Sequence, residues 1–275
     1  MKTSKAVLLF AAILAGPVAA LAQEYTVKDL GTLGGAEATP SAINASGEVV
    51  GYSTTAGNVA EHAFLYSNGI MQDLGTLGGT NSYGLGINAS GQVTGDSYTT
   101  TNIINPTQHA FLYSNGSMQD LGTLPGFASS RGEGINASGQ VTGSAGIAGP
   151  FQFQFYLYGF LYSNGTMQSL ENLDTILSSV ASTGYGINAN GQVTGSAFNQ
   201  DHPASYAFIY INGHFLDLNS LIPSRDAARY TLLSGQAIND SGQIVVNALE
   251  KSTLYPSGIG RALLLTPMKI NSGSE

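Results

Sequence analysis

Ile87-Asn88-Ala89-Ser90-Gly91-Gln92-Val93-Thr94-Gly95 is the stretch from which the architecture is read. Related stretches start at Ile43, Ile135, Ile187 and Ile238, 44 to 52 residues apart. Each has a Gly three residues after the Asn: Gly47, Gly91, Gly139, Gly191 and Gly242. Such spacing marks a tight turn, because Gly takes positive φ without steric penalty. The β-branched pairs that follow, such as Val93-Thr94 and Val141-Thr142, suit strands. A fixed period of this length indicates a repeat architecture.

Two further signatures recur in the same cyclic order. His-Ala-Phe-Leu-Tyr-Ser-Asn-Gly begins at His62 and His109, with degenerate copies from Tyr158, Tyr206 and Arg261. Asp-Leu-Gly-Thr-Leu begins at Asp29, Asp73 and Asp120, with weaker copies from Ser169 and Asp217. Each unit therefore divides into four short strands, here A to D. In the second unit these are Gly84–Asn88, Gln92–Gly95, Ala110–Tyr113 and Met118–Leu121. Asn115-Gly116, between C and D, is a strong hairpin signal. After residue 22 no window sustains a helical period; the nearest, Thr175–Ala181, is short.

Adjacent Phe and Leu in strand C point to opposite faces, so both faces of each sheet must be covered. Stacked copies do this, as a propeller or as a solenoid. The order of motifs begins with a D and ends with a C, an offset that a ring can use. The expectation is an all-β fold: a five-bladed β-propeller of four-stranded antiparallel blades, its ring closed by residues 25–33. An open β-solenoid is the runner-up. Gly84/Gly86, Gly132/Gly134 and Gly184/Gly186 on the inner strands are expected to let backbones crowd the axis.

These motifs resemble the HAF family of extracellular repeats, named for its His-Ala-Phe motif, over residues 25–267. The resemblance implies an exported repeat protein and brings no catalytic residues with it.

Residues 1–22 read independently as a secretory signal: Lys2 and Lys5, an apolar run from Ala6 to Ala15, and Ala20-Leu21-Ala22 as cleavage site. The apolar run is too short to span a membrane. A single domain over residues 23–267 and a short tail over 268–275 follow, and the expected location is the periplasm or the medium. The chain has no Cys, so disulfide scaffolds and Cys-ligated metals are excluded. A formal charge of −8, with only 9% charged residues, excludes a nucleic-acid binder of the usual basic kind. A hydrophobic content of 43% is enough for a core. No cofactor and no metal site is expected, and the protein is expected to be monomeric.

The A–B and C–D turns are short and repetitive, so the variable B–C and D–A connections gather on one face, where function is expected. Arg131 and Glu133 break the repeat near the start of strand A. With Tyr83, Tyr185 and Gln236 at related positions they form the candidate rim for a glycan or an extracellular protein. A local Arg131–Glu133 pair is the plainer alternative. His62 and His109 occupy one repeated position and read as strand-start packing residues. Asp73, Asp120 and Asp217 read as turn or interblade hydrogen-bond partners. The leading expectation is a non-enzymatic binding or scaffold module. The alternative is a secreted hydrolase of glycans, for which Glu37, Glu133 and Asp174 are the available carboxylates. The alternating aromatic run Phe151–Tyr158 is expected to extend strand C, either as an exposed edge or packed on its neighbour.

Overall fold

Asn68-Gly69, Asn115-Gly116, Asn164-Gly165 and Asn212-Gly213 all hold positive φ, between 51° and 86°. Two consecutive positive φ values make the turn that matches the right-handed twist of a hairpin. Each closes the C–D hairpin of one sheet. The computed structural model describes residues 26–102, 107–148, 155–171, 181–198, 205–252 and 258–268. Residues 1–22, read from the sequence as a secretory signal, Asp174 and Phe151–Gln154 lie outside the described residues, and the side chains of Phe155 and Tyr156 are not described.

Five antiparallel sheets follow one another along the chain. The first contains β1 (Gly34–Ile43), β2 (Val49–Thr55), β3 (Glu61–Ser67) and β4 (Ile70–Asp73). The second contains β5 (Ser82–Ile87), β6 (Val93–Tyr98), β7 (Gln108–Ser114) and β8 (Ser117–Asp120). The third contains β9 (Ser129–Ile135), β10 (Val141–Ala148), β11 (Phe155–Ser163) and β12 (Thr166–Ser169). The fourth contains β13 (Ala181–Ile187), β14 (Val193–Phe198), β15 (Tyr206–Ile211) and β16 (His214–Asp217). The fifth has three strands, β17 (Tyr230–Ile238), β18 (Ile244–Glu250) and β19 (Ile259–Leu265). Strand order within every sheet is the sequence order, as read from the motifs. One short helix, α1 (Ser224–Arg229), lies in a connection expected to be irregular. Its six residues are too few to show a helical period.

The sheets stack, the inner strand of each packing on the second and third strands of the sheet before it. The Asn of each repeated turn ties this stack together. Asn44 Nδ2 donates to Asn88 O, Asn88 to Asn136 O, Asn136 to Asn188 O and Asn188 to Asn239 O, at 2.9 to 3.0 Å. Each Oδ1 meanwhile accepts two backbone N–H groups of its own turn, as Asn88 does from Ser90 and Gln92. A second tie lies nearer the other end. Ser82 Oγ accepts from Ala63 N of the previous sheet and donates to Gly75 O; Ser130 does the same with Ala110 N and Gly122 O. Between these ties sit Phe64, Phe111, Phe160 and Phe208, at most 1% exposed.

The N-terminal segment does not close the ring in this structure. β19 pairs only with β18, and its outer edge has no strand beside it among the described residues. The hydrogen bonds of residues 31–35 go instead to their own corner and the first sheet. Leu33 N donates to Ser53 Oγ, and Thr32 Oγ1 donates to Gly35 O. The two ends of the stack are correspondingly bare. Ile43 on β1 is 68% exposed and Leu264 on β19 is 60% exposed, although Ile187 and Leu161, at the same repeat positions within the stack, are buried.

The crowding expected at the inner glycines is present. Thr94 Oγ1 is fixed by donating to Phe111 O, and a Cβ built on Gly132 of the next sheet would collide with it. Thr142 and Gly184 repeat this contact one sheet on. Gly132→Ala is therefore expected to cost about 1–3 kcal/mol through overpacking. Urea unfolding measures this, and an unchanged midpoint would contradict the packing described.

Candidate functional site

The fourth residue of each second strand lies towards the end of the sheet that carries the variable connections. These residues are Tyr52, Asp96, Ser144, Ser196 and Asn247. Their cross-strand partners on the inner strands are Thr39, Tyr83, Arg131, Thr183 and Ser234. Two of these second-strand residues meet the next sheet. Between the first and second sheets, Tyr52 meets Tyr83 edge to face, with ring centroids 5.1 Å apart. Between the second and third, Asp96 meets Arg131. The corresponding positions further along are Ser144 with Thr183 and Ser196 with Ser234. Bulky or charged side chains thus fill two junctions where the rest of the repeat has small hydroxyl residues.

Every inner strand carries a bulge beside this row. The register skips Ser41, Leu85, Glu133, Tyr185 and Gln236. A bulge turns its extra residue away from the regular alternation. Arg131 and Glu133 stay on one side, and Arg131 Nε reaches Glu133 Oε1 at 2.9 Å. The local pair weighed from the sequence is formed, and Asp96 joins it.

Asp96 is 1% exposed. Its Oδ1 lies 3.6 Å from Arg131 Nε, too far for a hydrogen bond, and is buried without a hydrogen-bond partner. Burial pushes its carboxyl up to about 6; Arg131 opposes this and Glu133 adds to it. Tyr83 OH donates to Glu61 Oε2 at 2.9 Å and accepts from Asn81 Nδ2. Burial, then the bond to Glu61, pushes its phenol up. Tyr185 OH lies 3.2 Å from Ser196 Oγ. Gln236 is exposed and bonds Ser234. Of the rim residues, Arg131 and Glu133 are brought into contact, while Tyr83 reaches the first sheet and Tyr185 and Gln236 bond within their own sheets.

Sequence reasoning passed over Asp96, yet the signal was present: Asp stands where the other units have Tyr52, Ser144, Ser196 and Asn247. The repeated histidines are partnered within their own sheets. His62 Nδ1 lies 2.8 Å from Asp73 Oδ2, and His109 Nδ1 lies 2.9 Å from Asp120 Oδ2. Asp73 and Asp120 also accept from Gly75 N and Gly122 N, the turn role expected of them. Glu37 sits exposed on β1, and no described hydrogen bond or ion pair links it to Glu133. Among the described residues no group of three or more His, Cys, Asp or Glu is placed to hold a metal ion, and no helix is long and apolar enough to cross a membrane. β11 does extend strand C from Phe155, and Tyr158 is buried edge-to-face on Phe127, 5.1 Å away.

No protein-family model matches the sequence, and no curated protein matches it either. Among solved structures, the chain is similar to the β-propeller domain of the Trilobed protease from Pyrococcus furiosus, described as having an open velcro topology. The TM-score is 0.54 at 10% identity, over 83% of this chain and 68% of that one. The likeness is one of fold.

The pH dependence of stability follows from Asp96. The unfolded chain ionises this carboxyl near its ordinary value of 3.8, whereas the folded chain keeps the proton to about pH 6. The folded state binds more protons across that window, so stability falls as pH rises through it. Asp96→Asn is expected to gain up to about 3 kcal/mol on the parent protein between pH 4 and pH 7. Denaturant unfolding at both pH values tests this; an equal difference at both would contradict the buried carboxyl.

Proposed function

We propose that this chain is a five-bladed propeller that acts as a non-enzymatic binding module, with its ligand on the face of the variable connections. The supporting observation is where the chain departs from its own repeat. Packing demands the Asn turns in every unit, and the paired strand glycines and the Thr hydroxyls in the second, third and fourth. Tyr52–Tyr83 and Asp96–Arg131–Glu133 are not demanded by it, and a buried carboxyl without a hydrogen bond opposes folding. Local rules broken at a cost are expected where function has been selected. Arg131, with 45% of its side chain exposed, offers guanidinium donors to a carboxylate or hydroxyl-bearing ligand. Tyr185 and Gln236 extend the same rim. A glycan or an extracellular protein fits this mixture of aromatic and hydrogen-bonding groups. The HAF-like motifs and the secretory segment support an exported protein in this role.

A hydrolase would use two carboxylates flanking the bond to be cut. Asp96 and Glu133 both approach one guanidinium, but Asp96 is too buried to touch a substrate. Burial therefore favours binding over hydrolysis.

Screening the protein against a glycan array and an extracellular-protein library tests this reading. Arg131→Ala and Tyr185→Ala are expected to lower affinity for a ligand found in the screen at least tenfold, each variant being checked as folded by circular dichroism at the assay temperature. Ligands held equally by both variants would place binding elsewhere.

A further inference from the structure

Positive charge is scarce in this chain and is gathered in one place. The sequence has nine Lys and Arg against 17 Asp and Glu. Four of the nine, Arg225, Arg229, Lys251 and Arg261, stand together at one end of the fifth sheet. Two carboxylates, Asp226 and Glu250, are described among them. The cluster is thus formally positive in a chain whose formal charge is −8.

Three segments build it. Arg225 and Arg229 lie on α1, Lys251 follows β18, and Arg261 is near the start of β19. Lys251 N donates to Arg229 O and Lys251 Nζ donates to Ala227 O, both at 2.8 Å, which ties the helix to the end of β18. Glu250 joins the rest. Its Oε1 accepts from Arg229 Nε at 2.8 Å, and its Oε2 lies 2.7 Å from Arg261 Nη2. The bond from Arg229 holds the Glu250 carboxyl below its ordinary range, and Arg261 adds to this. Both oxygens are therefore spent inside the cluster, and the side chain is only 17% exposed. The guanidiniums face outward, with 87% of the Arg225 side chain, 62% of Arg229 and 42% of Arg261 exposed. Asp226, 3.4 Å from Arg225 Nε, offsets one of these charges. Beside them the Tyr230 ring lies 5.0 Å from the Arg229 guanidinium.

We propose that this cluster binds an anionic glycan, one that carries carboxylate or sulfate groups, with Arg225, Arg229 and Arg261 as its anion contacts. Three of the four cations are Arg, whose planar fork matches such oxygens two at a time. Tyr230 supplies an aromatic surface next to that fork. The acidic remainder of the chain repels a polyanion and so directs it to this patch. Screening over about 8 Å at physiological salt keeps distant carboxylates from cancelling the local attraction. The cluster uses none of the rim residues around Arg131, so it is a second site, beyond the reading given above.

Titration of the full chain with polygalacturonate, dextran sulfate, neutral dextran and phosphatidylglycerol vesicles tests the proposal. At least one of the two polyanions is expected to bind, more weakly as salt rises, and neutral dextran is not. Whichever polymer binds tells carboxylate from sulfate. Arg225→Glu, with circular dichroism like the parent's, is expected to lower that affinity roughly tenfold or more. Lys28→Glu makes the same change of charge ahead of the first sheet and is expected to alter it less than about twofold. Binding of neither polyanion, equal binding of neutral dextran, or a loss in Arg225→Glu no greater than in Lys28→Glu overturns the proposal. Vesicles bound where neither polyanion binds would assign the cluster to a membrane surface and overturn it too. Such a failure leaves the Arg131 reading standing, because Arg225 takes no part in that rim.

Discussion

One asparagine side chain per repeat sets both the turn and the stacking. Its Oδ1 holds the Asn-Ala-Ser-Gly turn by accepting from two backbone N–H groups, and its Nδ2 reaches the backbone carbonyl of the next Asn. A side chain of another length could not do both. Asn88, Asn136 and Asn188 are almost fully buried, so each bond is made where water cannot replace it. The distance between successive turns is thereby fixed, and with it the spacing of the inner strands. That spacing in turn explains why Gly132 and Gly184 face the threonines of the preceding sheet. A larger residue would require the sheets to part, and the ladder does not let them.

Much of this was legible in the sequence because the repeat displays it five times. The strand order, the turns at Asn115-Gly116 and its copies, and the crowding at Gly132 follow from local patterns with local causes. Strand ends were less legible: β5 begins at Ser82 rather than Gly84, because Ser82 and Tyr83 pair with Ser97 and Asp96 of β6. The helix Ser224–Arg229 was hidden by its brevity. The fate of Asp29–Leu33 depends on whether β19 or the first sheet takes up its hydrogen-bonding groups, a choice between distant partners that the motif itself does not contain.

The candidate site was half legible. Arg131 and Glu133 stood out as departures from the repeat, and they do meet. Asp96 belongs to the same departure but lies 35 residues earlier on a different strand, and only the stacking of the second sheet on the third brings it to Arg131. The bulge at Glu133 was equally invisible, since Gly132-Glu133-Gly134 reads as regular alternation. Stability and site thus draw on one region in opposite directions. The inner strand β9 supplies glycine for close approach, and the second strand β6 presents to it a buried carboxyl whose ionisation opposes folding near neutral pH.

The asparagine ladder carries the stacking. Its most direct test is the unfolding free energy of Asn136→Ala, measured in denaturant. The substitution removes the bonds to Asn188 O, Gln140 Oε1, Ser138 N and Gln140 N, and strands buried polar groups in two sheets. A loss of about 3 kcal/mol or more is predicted. A loss below about 1 kcal/mol would mean that the apolar core between the sheets holds them together without the ladder.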